Sequence, residues 1–99
     1  MKLKFLDSTT SDLKWMRFYY RRVFPDGAIN AKQQYLKASR TILDNPLIGH
    51  ASESIRDARE LYITRTPFSF IYRVTKDHIE IMRVIDGRSN WDERILEDE

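Results

Sequence analysis

The feature that most constrains the fold is a pair of β-forming runs between Pro67 and Arg88, joined by the link Thr-Lys-Asp and closed by Asp-Gly. Both runs are rich in β-branched and aromatic residues, a composition typical of strands, so the stretch predicts a β-hairpin. A loop formed by the three link residues would pair Val74 with His78 and Ile71 with Ile81.

The predicted hairpin has two distinct surfaces, because successive side chains of a strand point to opposite faces. The first surface is mainly apolar and is the predicted core face, formed by Phe68, Phe70, Tyr72, Val74, Glu80, Met82 and Val84. The second combines four isoleucines with two arginines, and its members are Ser69, Ile71, Arg73, Ile79, Ile81, Arg83 and Ile85. Isoleucine favours burial, whereas arginine is costly to bury without a partner, so this second surface is predicted to bind another molecule.

The N-terminal quarter of the chain predicts a short strand and a helix. Residues 2–6 alternate lysine with apolar side chains, which indicates an edge strand with its charges outward. Residues 13–24 carry apolar side chains at helical spacing, while Lys14, Arg17 and Arg21 lie together on another flank. We therefore expect an amphipathic helix whose aromatic residues either pack deeply or contact a partner.

The middle of the chain completes the predicted architecture. A second helix is expected between Gly27 and Asn45, because apolar residues recur at seven-residue intervals until Asn-Pro ends the pattern. Residues 47–54 predict a loop, and residues 56–63 predict a strand that leads into the hairpin. This β-α-α-β-β-β order predicts an α+β fold in which a two-helix antiparallel hairpin packs on one face of a small antiparallel β-sheet.

Length and charge predict one basic domain with an acidic tail. The chain of 99 residues suits a single domain over residues 1–99. The formal net charge is +2, but residues 92–99 contain five acids and one arginine, so the body before this tail is more basic than the total indicates. Two interpretations stay open: an ordinary surface with a solvated tail, or a basic body that binds nucleic acid or an acidic protein segment and that the tail shields.

The sequence offers little of the chemistry that catalysis or metal binding requires. It has no cysteine, which excludes disulfides, thiolate catalysis and cysteine-ligated zinc. His50 and His78 stand apart from any second ligand at metal-binding spacing, and no serine lies in a nucleophile-elbow pattern. No catalytic residue, metal site or cofactor is therefore predicted. The N-terminus lacks the apolar run of a signal peptide or membrane span, so we expect a cytoplasmic protein without membrane association.

Arginine is the residue type that remains for contact with an anionic partner, because its guanidinium group can hold phosphate or carboxylate through two parallel hydrogen bonds. Five arginines come from the predicted strand region: Arg59, Arg65, Arg73, Arg83 and Arg88. The alternative interpretation is scattered surface charge.

These motifs together resemble the RelE/ParE superfamily of type II toxins over roughly residues 1–91. The strongest part is the run TPFSFIYRV from Thr66 to Val74, followed by IEIMRVIDGR from Ile79 to Arg88. Supporting parts are the helix ladder, the stop that ends it and the following strand, namely Tyr35, Leu36, Ile42, Leu43, Asn45-Pro46 and Arg59-Glu60-Leu61. The resemblance implies a small bacterial toxin that a cognate antitoxin wraps and inactivates, with operator DNA bound only through the antitoxin.

Departures from the superfamily pattern favour one of its branches. The branch that cleaves ribosome-bound mRNA uses basic residues on the strands, a late arginine and a tyrosine beyond it. In this chain those positions hold Glu60, Tyr62, Ser69, Arg88 or Ser89, and Ile95, so at most one matches. The chain therefore looks more like the ParE branch, which inhibits DNA gyrase through a binding surface rather than an active site. Two alternatives stay open: an mRNA endoribonuclease that acts with the ribosome, and an inactive toxin-like binding module.

Two sets of site residues follow from the predicted sheet and the resemblance. The antitoxin is expected to bind the second surface of the hairpin, at Ile71, Arg73, Ile81, Arg83 and Ile85. The growth-inhibition target is expected to contact the remaining strand arginines and the tryptophan past the last strand, namely Arg59, Arg65, Arg88 and Trp91.

Overall fold

The computed structural model of the protein describes residues 1–88 and confirms the predicted α+β class. Two helices pack on one face of a five-stranded sheet, in the order β1 Lys2–Phe5, α1 Thr10–Phe18, α2 Ala28–Asp44, β2 His50–Ala51, β3 Arg59–Tyr62, β4 Phe68–Val74 and β5 His78–Asp86. A single-turn π-helix at Tyr19–Val23 extends α1, and a 3₁₀ turn at Pro25–Gly27 leads into α2. The predicted Trp91 and the acidic residues 92–99 lie outside the described residues.

The sheet differs from the prediction in direction and in strand number. Its strand order is β1-β5-β4-β3-β2, and β1 runs parallel to β5, so the sheet is mixed rather than wholly antiparallel. Strand β2 lies within the predicted loop and pairs His50 with Glu60 and Ala51 with Arg59. A strand of two residues is too short for hydrophobic periodicity to indicate it.

The hairpin between β4 and β5 forms, but its predicted register is wrong. Val74 pairs with Ile79 rather than with His78, because Thr75 and His78 close the turn themselves. The Thr75 backbone N–H and hydroxyl both donate to the His78 carbonyl, at 2.9 and 2.7 Å. The resulting four-residue loop moves the pairing of the two strands by one position. An irregularity in the pairing between Ile71 and Tyr72 then returns β5 to the predicted faces from Arg83 onward.

The shifted register exchanges side chains between the two faces over the first half of β5. Ile79 and Ile81 are both 0% exposed in the core, so the prediction that Ile81 lies on the second surface is wrong. Glu80, predicted to face the core, pairs across the strands with Arg73 on the opposite face. Met82 is only partly buried and lies outside the core cluster.

The core forms where the two helices cover the hydrophobic face of β4 and β5. Its strand side chains are Phe68, Phe70, Tyr72, Ile79, Ile81 and Val84. Ala38 and Ile42 of α2 and Met16 of α1 pack on them, and the Tyr35 ring meets Phe70 edge-on with ring centroids 5.2 Å apart. Tyr35, Ile42 and Leu43 of the helix ladder therefore have the predicted role of covering the core face of the sheet. The prediction is wrong for Leu36, which is 57% exposed.

Helix α1 begins earlier than predicted, and the C-terminal part of the predicted helix is the π-helix at Tyr19–Val23. It starts at Thr10, and no side chain caps its N-terminus. The hydroxyl of Thr9 donates instead to the Leu6 carbonyl at 2.7 Å, and the hydroxyl of Ser8 donates to the Met82 carbonyl at 2.5 Å. The Ser8 bond attaches the segment before the helix to β5, and the Thr9 bond closes a turn within that segment.

Candidate functional site

The candidate antitoxin site is the outer face of the sheet, which we define as Ser69, Ile71, Arg73, Glu80, Arg83 and Ile85. Cross-strand pairs place these residues together, with Ile71 opposite Arg83, Ser69 opposite Ile85 and Arg73 opposite Glu80. The structure thus brings four of the five predicted antitoxin residues to one surface. Ile71 is already buried there, at 1% exposure.

One end of the outer face carries an exposed ionic group. The Arg73 guanidinium contacts the Glu80 carboxylate at 2.7 Å, and the His78 Nε2 lies 3.0 Å from the other Glu80 oxygen. Hydrogen bonds from Arg73 and then from His78 lower the pKa of Glu80 below its ordinary value. The Arg73 side chain is 45% exposed, so it remains accessible to a carboxylate of a partner.

Arg83 has a structural partner that the sequence did not indicate. Its Nε donates to Asp12 Oδ2 at 2.7 Å and its Nη2 donates to Asp12 Oδ1 at 2.9 Å, a bidentate pair. The Asp12 carboxylate also accepts a bond from the Val84 N–H at 3.0 Å, and its side chain is 4% exposed. Asp12 therefore anchors α1 to β5.

A second ionic group lies where β5 ends, and we call it the Asp86 cluster: Asp86, Arg88, Trp15 and Tyr19. The Asp86 side chain is 0% exposed and accepts hydrogen bonds from Trp15 Nε1 at 3.3 Å and Arg88 Nε at 2.9 Å. The Nη2 atom of Arg88 makes a further short ion pair with Asp86. The Arg88 guanidinium also lies over the Tyr19 ring, 4.7 Å from its centroid.

The electrostatics of the Asp86 cluster keep both members charged. Burial acts to raise the pKa of Asp86, but hydrogen bonds from Arg88 and Trp15 outweigh it and leave that pKa below its ordinary value. The bond to Asp86 raises the pKa of Arg88. Among the neighbouring aromatics, burial raises the pKa of Tyr20 to about 12, so its hydroxyl stays protonated. The cluster presents one fixed, partly exposed cation at the end of the sheet.

The predicted target residues do not form a single group. Arg65 lies in the turn between β3 and β4, and the Gly87 N–H donates to the Pro67 carbonyl of that turn, so Arg65 and Arg88 share one end of the sheet. Arg59 lies at the opposite end of β3, where its Nη1 donates to the Leu47 and Gly49 carbonyls at 3.1 and 2.7 Å. Arg59 therefore holds the loop beside β2.

The loop that Arg59 holds is also fixed from the core. The Tyr72 hydroxyl donates to the Pro46 carbonyl at 2.8 Å and accepts from the Gly49 N–H at 2.9 Å. A Cβ on Gly49 would lie 2.8 Å from the Tyr72 hydroxyl oxygen and 2.9 Å from the Glu60 carbonyl oxygen, so only glycine fits. The Tyr of the strand motif is thus a structural residue.

The described part of the chain contains neither a cluster of metal-ligand side chains nor a membrane-spanning helix. Residues 1–88 contain no group of three or more histidine and acidic side chains placed to hold a metal ion. None of the helices within the same residues is both long and apolar enough to cross a bilayer.

Comparison with known proteins agrees with this architecture. The family model for the ParE toxin of the type II toxin–antitoxin system parDE matches residues 3–91. Among solved structures, the chromosomal ParDE toxin–antitoxin system from P. aeruginosa superimposes with a TM-score of 0.70 at 27% sequence identity, covering 89% of this chain and 97% of the other. No significant match was found among curated protein sequences.

Proposed function

Because the chain belongs to the ParE toxin family of type II toxin–antitoxin systems, we propose that it is a cytoplasmic toxin that stops growth by binding DNA gyrase. A cognate antitoxin neutralises it by covering the outer face of the sheet, and operator DNA is bound only through that antitoxin.

One observation favours gyrase inhibition over mRNA cleavage. It concerns which residues occupy the positions where mRNA-cleaving relatives place basic residues. Two of them hold Glu60 and Tyr62 of β3, and a third holds Ser69, which is 4% exposed. The late arginine, Arg88, is engaged by the Asp86 carboxylate. These positions offer no open set of cations for the charge that develops on a phosphate during cleavage.

The target proposal is tested with purified toxin in a plasmid supercoiling assay with gyrase, beside primer-extension mapping of messages from induced cells. We expect loss of supercoiling and an unchanged cleavage pattern of the messages. Message cleavage at codon-spaced sites with normal supercoiling would instead establish the endoribonuclease, and an absence of both effects together with normal growth would indicate an inactive binding module.

The gyrase surface is proposed to include the sheet end that carries Arg65 and Arg88. It is also proposed to include Trp91, which lies outside the described residues. Arg65→Gln removes an exposed cation there, and Arg56→Gln is its matched control, since Arg56 is also an exposed arginine outside the strands. We expect Arg65→Gln to raise the concentration for half-inhibition about tenfold, the order expected for losing one hydrogen bond to a charged group. Equal inhibition by both variants would remove this end of the sheet from the gyrase surface.

The antitoxin proposal rests on the accessible cation of the outer face. Arg73 is exposed, lies at one end of the face that also carries Ile71, Arg83 and Ile85, and can exchange Glu80 for a carboxylate of the antitoxin. Arg73→Glu is expected to weaken antitoxin binding at least tenfold, whereas Arg40→Glu, an exposed change on α2, should not. Isothermal titration with the purified antitoxin measures both, and equal affinities would contradict the assigned face.

A further inference from the structure

The exposed side of α1 and of the π-turn after it carries a concentrated positive charge, which we call the basic flank: Lys14, Arg17, Phe18, Arg21 and Arg22. All five side chains are exposed. At about 100° per residue on a helix, they occupy one continuous side of the element, opposite the buried Met16. The gyrase and antitoxin proposals do not use this surface.

The charge of the basic flank is not neutralised by the rest of the described chain. No ion pair or side-chain hydrogen bond joins its four cations to any residue within positions 1–88, and residues 13–25 contain no acid. The nearest acid of the helix, Asp12, is engaged by Arg83. Within residues 1–88 the four cations therefore repel one another without a compensating ion pair.

The five side chains of the basic flank also enclose a shallow hollow of about 300 Å³. One wall is the ring of Phe18, which is 49% exposed although it is a large apolar side chain. This ring is held in place by stacking on Trp15, with centroids 5.7 Å apart and an interplanar angle of 28°. The hollow thus combines flexible cations with one positioned aromatic surface.

We propose that the basic flank binds single-stranded nucleic acid, with backbone phosphates held by the arginines and an unpaired base stacked on Phe18. Cations that follow a backbone together with an aromatic stacking surface are the features by which proteins hold single strands. Three of the four cations are arginine, which suits phosphate through paired hydrogen bonds.

An acidic peptide fits the hollow less well than a nucleotide chain. The hollow's charged side chains are donors only, and the fifth is a hydrocarbon ring, so the side chains that line it supply no acceptor for the backbone N–H groups of a peptide. A nucleotide chain is bound by hydrogen-bond donors at its phosphates and by a stacking surface at its base. The cations and Phe18 meet phosphates and base faces, which DNA and RNA strands share, so the two should bind alike.

Duplex DNA should bind more weakly than a single strand of equal length. Its phosphates can meet the arginines, but its bases are paired and stacked within the helix, so Phe18 contributes nothing. Base stacking on an aromatic residue accounts for about a fivefold to hundredfold change in affinity, which sets the expected difference.

The test is fluorescence anisotropy with the purified full-length toxin and four labelled probes. Three are 12 nucleotides long, namely oligo-dT, oligo-rU and a DNA duplex, and the fourth is a glutamate-rich peptide. The double variant Arg17→Gln/Arg21→Gln removes two cations of the flank. Lys37→Gln/Arg40→Gln removes the same charge from exposed positions of α2 and is the matched control. Phe18→Leu removes the aromatic ring but keeps apolar bulk, whereas Phe18→Tyr keeps an aromatic ring.

We expect oligo-dT and oligo-rU to bind within threefold of each other. The flank variant should lose affinity and lower the slope of log K against log salt by about 1.4, since each lost phosphate contact contributes about 0.7 for single strands. The α2 variant should keep the wild-type slope. Phe18→Leu should weaken single-strand binding at least fivefold without changing the affinity for the duplex. Phe18→Tyr should bind the single strand as the wild type does.

Several outcomes would overturn the proposal. Equal losses in the flank and α2 variants would mean that only total charge matters. Unchanged binding in Phe18→Leu, or duplex binding as tight as single-strand binding, would exclude base stacking. Preferential binding of the glutamate-rich peptide would assign the flank to an acidic protein. Because no gyrase is present in these measurements, their outcome is independent of the proposed target.

Discussion

At the scale of single residues, the buried carboxylate of Asp12 makes Arg83 important for stability. Removing Arg83 leaves Asp12, whose side chain is 4% exposed, with a charge that the Val84 N–H alone does not satisfy. We expect Arg83→Ala to lower the free energy of unfolding by about 1.5–3 kcal/mol, and Arg73→Ala, at an exposed pair, to lower it far less. Urea denaturation of the two variants measures the difference.

A double variant provides the control for the Asp12–Arg83 pair. If the pair is coupled as the geometry indicates, Asp12→Ala combined with Arg83→Ala should cost less than the sum of the two single changes, because no unpaired charge remains. Additive losses would mean that the two side chains stabilise the protein independently.

Asp86 is expected to make the stability of the protein fall at low pH. Its pKa is lowered in the folded protein, so the stability it contributes is fully present above its ordinary value of 3.8 and is lost as pH falls through the lower folded-state pKa. Asp86→Asn should therefore be less stable than the wild type at neutral pH, and the gap should narrow below pH 3.8. Asp77→Asn, at an exposed loop position, serves as control in thermal unfolding across pH.

The partners of these charged residues could not have been predicted from the sequence. Arg83 lies 71 positions from Asp12, and Trp15 lies the same distance from Asp86. Nothing local distinguishes an acid that caps a helix from one that a distant strand buries. The arginines themselves were identifiable as residues that need a partner, but the structure alone shows that the partner of Arg83 is within the chain.

At the scale of secondary-structure elements, the register of the β4–β5 hairpin makes a testable distinction between adjacent residues. Ile81 is 0% exposed in the core, whereas Met82 is partly buried outside it. Ile81→Ala should cost about 2–5 kcal/mol of stability, and Met82→Ala clearly less. The opposite ranking in urea denaturation would favour the register predicted from a three-residue loop.

The hairpin shows how far periodicity predicts an element. Alternation identified both strands and assigned every residue of β4 to the correct face, because Phe68, Phe70 and Tyr72 share one side. It failed over the first half of β5, because the hydroxyl of Thr75 closes the turn one residue later than the composition indicates. A shift of one residue inverts the faces, so a single hydrogen-bonded turn decided whether Ile81 was a core or a surface residue.

At the scale of the whole molecule, the acidic tail at residues 92–99 stays a prediction, since it lies outside the described residues. If the tail screens the basic body, replacing its acids with Asn and Gln should raise affinity for oligo-dT. The gain should be larger at low salt, because the screening length is about 10 Å at 0.1 M and shortens as salt increases. A gain that does not change with salt would contradict electrostatic shielding.

The parallel pairing of β1 with β5 has a consequence for the time at which the sheet forms during synthesis. Lys2 pairs with His78, so β1, the first strand to be synthesised, cannot pair until β5, the last strand, has been made. At typical synthesis rates the interval is on the order of 4–15 s. Until then the strand that joins β1 to β4 is missing, and a chain released early lacks both β5 and the Asp86 cluster. Truncated translation products should therefore be harmless, and the surface proposed to bind the antitoxin is complete only once β5 has paired with β4.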